Sequence, residues 1–210
     1  MDLSDIAEDL RTRFDSKNSA REIGLTSSRS ATRACGNAIR ALHRNEIDRA
    51  EELIQEANSH LAKARAALVD HPDVLYAGFY HDAEKELVEA RVTYALVTGA
   101  EFPSLDDLGA SPQAFAKGMA EAIGELRRHI LDLMRRNELK QCEELLGRMD
   151  DMYYVLVSMD YPDGITFGLR RLTDVARSII ERTRGDYTTS LIQSSLRAAL
   201  DEHVAHLRNR

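Results

Sequence analysis

The chain has 210 residues, of which 43% are hydrophobic and 30% charged, and its formal net charge is −7. A domain of this length buries roughly 70% of its unfolded surface, so it needs neither disulfides nor a structural metal to fold. Its two cysteines, Cys35 and Cys142, are far apart, which excludes a zinc ribbon or a redox Cys-x-x-Cys motif and favours a reducing compartment. There is no signal segment and no apolar run near the ~20 residues of a membrane span. We therefore expect a soluble, cytoplasmic protein that does not enter a membrane.

Good helix formers, mainly Ala, Leu, Glu and Arg, fill the long segments between the four prolines, and strand-like alternation is absent. Ser111-Pro112 and Asp163-Gly164 are typical helix starts, whereas Gly99 and Gly185 are typical helix ends. The pattern predicts a single all-α domain over residues 1–210, with seven helices over 2–44, 47–70, 73–99, 111–136, 138–160, 164–184 and 187–208.

The fourth and fifth predicted helices each have one apolar face at about 100° per residue. On the fourth this face consists of Phe115, Met119, Ala122, Leu126, Ile130 and Leu133. On the fifth it consists of Cys142, Leu145, Met149, Met152 and Leu156. Methionine at such positions fills cores far more often than it binds a cofactor, so both faces are predicted to be buried.

A row of arginines follows one face of the first predicted helix. At about 100° per residue, this arginine stripe lies opposite the apolar face made by Ala31, Ala34, Cys35, Ala38 and Leu42, and it consists of Arg29, Arg33, Arg40 and Arg44. A solvated helix face usually mixes charges of both signs, but no Asp or Glu occurs between Leu25 and Asn45. The stripe therefore predicts contact with successive backbone phosphates, a sequence-independent way of binding nucleic acid. The alternative is an ordinary solvated face.

Two pairs of glutamates stand on different predicted helices. Glu86 and Glu89 are three residues apart on the third helix, and Glu121 and Glu125 are four apart on the fourth, so each pair lies on one helix face. Four carboxylates that converged would repel one another unless a cation or protons neutralised them. Ligation by oxygen alone suits Mg²⁺ or Mn²⁺, the metals of phosphoryl transfer. The alternative is that both pairs are solvated.

Other catalytic signatures do not fit. A di-iron bundle needs Glu-x-x-His on two helices, and no histidine here has a glutamate three residues before it. The Walker loop, the dinucleotide-binding glycine motif, Gly-x-Ser-x-Gly and His-Glu-x-x-His are also missing from the sequence.

Three segments resemble the translin/Trax family in collinear order. They are SRSATRACGNAIRALHRNEIDRAEELI from Ser28, KELVEARVTYALVTG from Lys85, and AIGELRRHILDLMRRNEL from Ala122. The resemblance is strongest to stand-alone archaeal Trax-like proteins. It implies seven helices per subunit and a closed, hollow homo-oligomer resembling an octamer. It also implies that nucleic acid is bound inside the shell. The expected ligand is single-stranded RNA or a short RNA duplex, with single-stranded DNA as a further candidate.

The Trax branch of the family implies a Mg²⁺- or Mn²⁺-dependent endoribonuclease, whose catalytic and metal-binding acids match Glu86, Glu89, Glu121 and Glu125. At the Glu121 position Trax-like chains also carry Asp. Asp82 shares the face of Glu86 and Glu89, and Glu144 and Asp151 are further candidate ligands. The basic segment that translin has before the third helix is reduced here to His81 and Lys85.

The sequence leaves three functions open. The first is a metal-dependent endoribonuclease that acts on RNA. The second is a translin-like binder of single-stranded DNA or RNA that does not cleave, and the third is a purely structural helical oligomer. The four glutamates favour the first, because a translin-type binder lacks them.

Overall fold

The computed structural model describes residues 2–208, and within this range the chain forms helices and no strands. The helices are α1 (Leu3–His43), α2 (Ile47–Leu68), α3 (Pro72–Leu75), α4 (Phe79–Thr98), α5 (Leu105–Leu108), α6 (Pro112–Arg135), α7 (Leu139–Val157), α8 (Asp163–Thr166) and α9 (Leu169–Arg208). None of the described helices is long and apolar enough to cross a membrane. The all-α fold class is thereby confirmed.

The first of two compact units runs from Met1 to Gly118. Here α1 and α2 form a helical hairpin around Asn45, which has a φ of 61°, and α4 packs against both. Many buried positions of α1 and α2 are alanines with no more than 4% of their surface exposed, and such small side chains let helices approach closely; they include Ala31, Ala34, Ala38, Ala50, Ala57 and Ala64.

The second unit runs from Met119 to Arg210, and in it α7 packs against α9. Polar pairs tie α9 to its neighbours: Arg184 binds both carboxylate oxygens of Asp150 at 2.7 Å, and Arg127 binds Asp186 at 2.8 Å. The buried positions of α9 end at Tyr187. The rest of this helix exposes Leu191, Ile192, Leu196, Leu200, Val204 and Leu207.

Local signals placed several helix ends correctly. Helix α6 begins at Pro112, and Gly99 ends α4 in the left-handed conformation with a φ of 75°. Every residue of the two predicted apolar faces on the fourth and fifth helices is buried. The face of α1 opposite the arginine stripe is buried as well.

Three of the predicted helices have the wrong extent. The third predicted helix, 73–99, is divided into α3 and α4, because the chain turns at Gly78 with a φ of 105°. The predicted helices 164–184 and 187–208 are one helix, α9, which passes through Gly185. A single glycine inside a helix costs only about 1 kcal/mol, which the packing on either side overcomes. The predicted start at Asp163-Gly164 is the one-turn helix α8, which ends where Phe167 adopts a φ of 49°.

Candidate functional site

Helix α4 carries Glu86 and Glu89 on one face, three residues apart, and both side chains are half-buried. The ammonium group of Lys85 lies 3.2 Å from the carboxylate of Glu86. The backbone carbonyl of Glu89 accepts a hydrogen bond of 2.7 Å from the hydroxyl of Thr93.

The thiol of Cys35 on α1 lies near this pair of glutamates. The side chain is fully buried. Burial raises the pKa of Cys35 to about 12, and the negative charges of Glu86 and Glu89 contribute to the rise. Such a thiol stays protonated at neutral pH and does not act as a nucleophile.

Helix α6 makes an unusually close approach to α4 at Gly118. A Cβ atom added there would lie 2.6 Å from the backbone oxygen of Lys85 and 2.7 Å from the Cβ of Val88. Only glycine fits at such a crossing. Glu121 and Glu125 follow three and seven residues later on the same unbroken helix, so they lie one and two turns beyond the crossing.

Three of the four glutamates come together. One carboxylate oxygen from each of Glu86, Glu89 and Glu121 lies within 4.8 Å of the other two, and all three side chains are half-buried. Glu125, also half-buried, lies one turn beyond Glu121 and is not in this group. This is a donor set of carboxylate oxygens, the ligands that Mg²⁺ and Mn²⁺ prefer. The residues therefore fit such an ion.

The other candidate acids lie elsewhere. Asp82 is exposed and outside the group of three. Glu144 and Asp151 are exposed on α7, where Glu144 lies 3.9 Å from Lys140 and Asp151 lies 3.7 Å from Arg148. Both therefore pair with a basic residue of their own helix.

The arginine stripe is exposed along its whole length. Arg29 and Arg33 form no ion pair with any described residue, and Arg40 donates a hydrogen bond to Asn37. Arg44 lies just beyond the end of α1 and donates to both carboxylate oxygens of Glu46, at 2.7 and 2.8 Å. A phosphate at Arg44 would have to compete with that carboxylate, so the first three arginines are the more available ones.

A buried polar network next to the glutamates was missed by the sequence analysis. Glu84 is only 7% exposed and accepts a hydrogen bond of 2.9 Å from the hydroxyl of Ser111. The Nδ1 atom of His81 lies 3.2 Å from the same hydroxyl. Burial raises the pKa of Glu84, and the hydrogen bonds from Ser111 oppose the rise. Burial and the charge of Lys117 lower the pKa of His81.

Comparison with known proteins finds relatives along most of the chain. The uncharacterised protein MJ0175 of Methanocaldococcus jannaschii is 32% identical over 186 residues, which make up 88% of this chain and 82% of that protein. A solved structure of AfC3PO in complex with duplex RNA is 34% identical, with a TM-score of 0.83, and the match covers 89% of this chain and 97% of that one.

A second crystal structure of AfC3PO is 33% identical, with the same TM-score of 0.83 and the same coverage of 89% of this chain and 97% of that one. The structure of apo-NeC3PO is 16% identical, with a TM-score of 0.80 over 88% of this chain and 96% of that one, and it supports the fold alone. No family model matches the chain.

Proposed function

Because this chain belongs to the translin/Trax family, we propose that it binds RNA and cleaves it as a metal-dependent endoribonuclease. The observation that carries the proposal is the group formed by Glu86, Glu89 and Glu121, whose carboxylate oxygens lie within 4.8 Å of one another. RNA binding is supported by the AfC3PO structure, which contains duplex RNA.

The glutamates would hold Mg²⁺ or Mn²⁺. When bound, such an ion activates water and stabilises negative charge on the scissile phosphate. Glu86, Glu89 and Glu121 supply the carboxylates, and their half-buried setting strengthens electrostatic attraction beyond what it would be in bulk water. Glu125, one turn along α6, is the fourth proposed acid. Lys85, 3.2 Å from Glu86, offsets part of the repulsion among the carboxylates while the site is empty.

The arginine stripe would position the strand. Arg29, Arg33 and Arg40 lie along α1. The first and the last are 11 positions apart, which is about 17 Å at 1.5 Å per residue and long enough for several phosphates. The negative overall charge does not oppose this, because binding depends on the local row of positive charge. The same row would bind single-stranded DNA, since contacts to the backbone do not distinguish sequence.

We also propose that the chain assembles into a closed homo-oligomer, with eight copies as the expected number. Helix α1 has 41 residues and exposes the apolar side chains of Leu3, Ile6, Leu10 and Phe14, spaced three or four residues apart. A stripe of this spacing on a free helix suits packing against another helix. The exposed half of α9 carries a second apolar row, from Leu191 to Leu207.

The test is a cleavage assay on labelled single-stranded RNA with Mg²⁺ and with EDTA. We expect cleavage in Mg²⁺ that EDTA abolishes. Glu89→Gln and Glu125→Gln should abolish cleavage but leave RNA binding intact or improved, because glutamine keeps the side-chain volume and removes the charge that attracts the cation. Glu144→Gln, an exposed acid on α7 that pairs with Lys140, is the matched control and should cleave as the wild type does.

Cleavage at the wild-type rate by both Glu89→Gln and Glu125→Gln would show that the glutamate site is wrong. If the wild type binds RNA but does not cleave it under any metal condition, the translin-like, non-catalytic binder becomes the better description.

A further inference from the structure

We infer that Glu84 and Ser111 are positioning residues that hold α6 against α4 and so set the spacing of the metal-binding glutamates. The inference rests on the function proposed above. It concerns two side chains that the proposed reaction does not otherwise use.

The link between the two residues joins the helices that carry the acids. Glu84 lies on α4, two residues before Glu86, and its carboxylate accepts a hydrogen bond of 2.9 Å from the Ser111 hydroxyl. Ser111 precedes the first residue of α6, and its hydroxyl accepts a hydrogen bond of 3.4 Å from the backbone N–H of Ala114. The carboxylate of α4 is thus attached directly to the start of α6.

Further contacts hold the same end of α6. Arg65 on α2 donates a hydrogen bond of 3.3 Å to the backbone oxygen of Gly109, two residues before Ser111. Tyr80, one turn before Glu84 on α4, lies close enough to the Glu84 carboxylate to lower its pKa. The carboxylate is therefore fixed by its neighbours, so its position defines that of Ser111.

The second point of attachment is Gly118. Its α-carbon is closely packed on Lys85 and Val88, seven residues after Ser111. Two points about 10 Å apart along a helix determine both its distance from a neighbour and its axial register. Glu121 is three residues beyond the second point, so a slip of α6 along α4 would change the spacing of the carboxylates directly.

A chemical reason favours positioning over simple packing. A buried carboxyl group costs free energy unless its hydrogen bonds are satisfied, and an apolar residue would fill the same space at lower cost. The bond from Ser111 fixes direction as well as distance, which apolar contact does not. Residues that orient metal ligands change metal affinity about 10- to 100-fold when they are removed.

The test measures Mn²⁺ binding by electron paramagnetic resonance, independently of RNA cleavage. Ser111→Ala and Glu84→Leu each remove one partner of the hydrogen bond and should each weaken Mn²⁺ binding by about 10-fold or more. Ser111→Thr keeps the hydroxyl and should bind as the wild type does. Ser104→Ala is the matched control, because Ser104 caps α5 through Asp107 and its loss removes a comparable helix cap without touching α4. Circular dichroism establishes that each variant is folded.

The outcomes separate the inference from the proposed function. If the wild type binds no Mn²⁺, the metal site and this inference both fail. If the wild type binds Mn²⁺ and both Ser111→Ala and Glu84→Leu bind it equally well, the positioning role is overturned while the metal site stands. If one of the two variants does not fold, the other, which removes the opposite partner of the same hydrogen bond, decides alone. A loss of affinity in Ser104→Ala equal to that in Ser111→Ala would also overturn the inference.

Discussion

Replacement of Gly118 by alanine should separate α4 from α6 and destabilise the protein. The added methyl group would lie 2.6 Å from the Lys85 backbone oxygen, whereas ordinary contact begins at 3.4 Å, so the helices must move apart by about 0.8 Å or the chain must distort. Relief by side-chain rotation is blocked, because the nearest atoms are a backbone oxygen and the Cβ of Val88. Overpacking of this kind costs about 1–3 kcal/mol.

The gain in helix propensity on going from glycine to alanine, about 1 kcal/mol, offsets part of this cost. We therefore expect a net loss of up to about 2 kcal/mol in the free energy of unfolding, measured by urea denaturation at fixed protein concentration. The matched control is Gly185→Ala on α9, where an added Cβ meets no atom within 4 Å. Because nothing opposes the gain in helix propensity there, the free energy of unfolding should rise by about 1 kcal/mol. Equal stabilisation by both substitutions would refute the close crossing at Gly118.

Three further predictions concern RNA binding, packing and assembly. Replacing Arg33 and Arg40 together by alanine should flatten the log–log salt dependence of RNA affinity by about 1.4, because each phosphate contact to a single strand contributes about 0.7; an unchanged slope in a filter-binding salt series would place the binding surface elsewhere. Arg127→Ala should lower the free energy of unfolding by about 1–3 kcal/mol, since it removes the hydrogen bonds to Asp186 and Thr183; urea denaturation with no loss would show that these bonds are not stabilising. Light scattering should give a mass several times that of the 23.6 kDa chain, and Leu196→Glu with Leu200→Glu should lower it; a wild-type monomer would rule out assembly.

Much of the fold follows from local signals in the sequence. Ser111-Pro112 predicts the start of α6 because a serine cap followed by proline favours a first helical turn, and Gly99 predicts an end because glycine adopts the left-handed conformation freely. The predicted helix end at Gly185 is wrong, because glycine also adopts the helical conformation. In the helical conformation glycine costs only about 1 kcal/mol, so a sequence pattern does not distinguish a helix end from an exposed helical position.

Only part of the candidate site can be predicted from the sequence. Spacing shows that Glu86 and Glu89 share one face of a helix, as do Glu121 and Glu125, but it does not show whether the two helices meet. Gly118 is the local hint, because a glycine inside a predicted helix often marks a close approach. The bond between Glu84 and Ser111 joins residues 27 apart and depends on tertiary packing. No periodic pattern in the sequence predicts this hydrogen bond.

The most direct test of the central claim is the anomalous scattering of Mn²⁺ in crystals of the protein soaked with that ion. The proposed function predicts a peak at a coordination distance of about 2 Å from carboxylate oxygens of Glu86, Glu89 and Glu121. The peak should be lost in crystals of Glu89→Gln. Fully occupied Mn²⁺ at other sites, with none at these three glutamates, would contradict the claim that they form the metal centre.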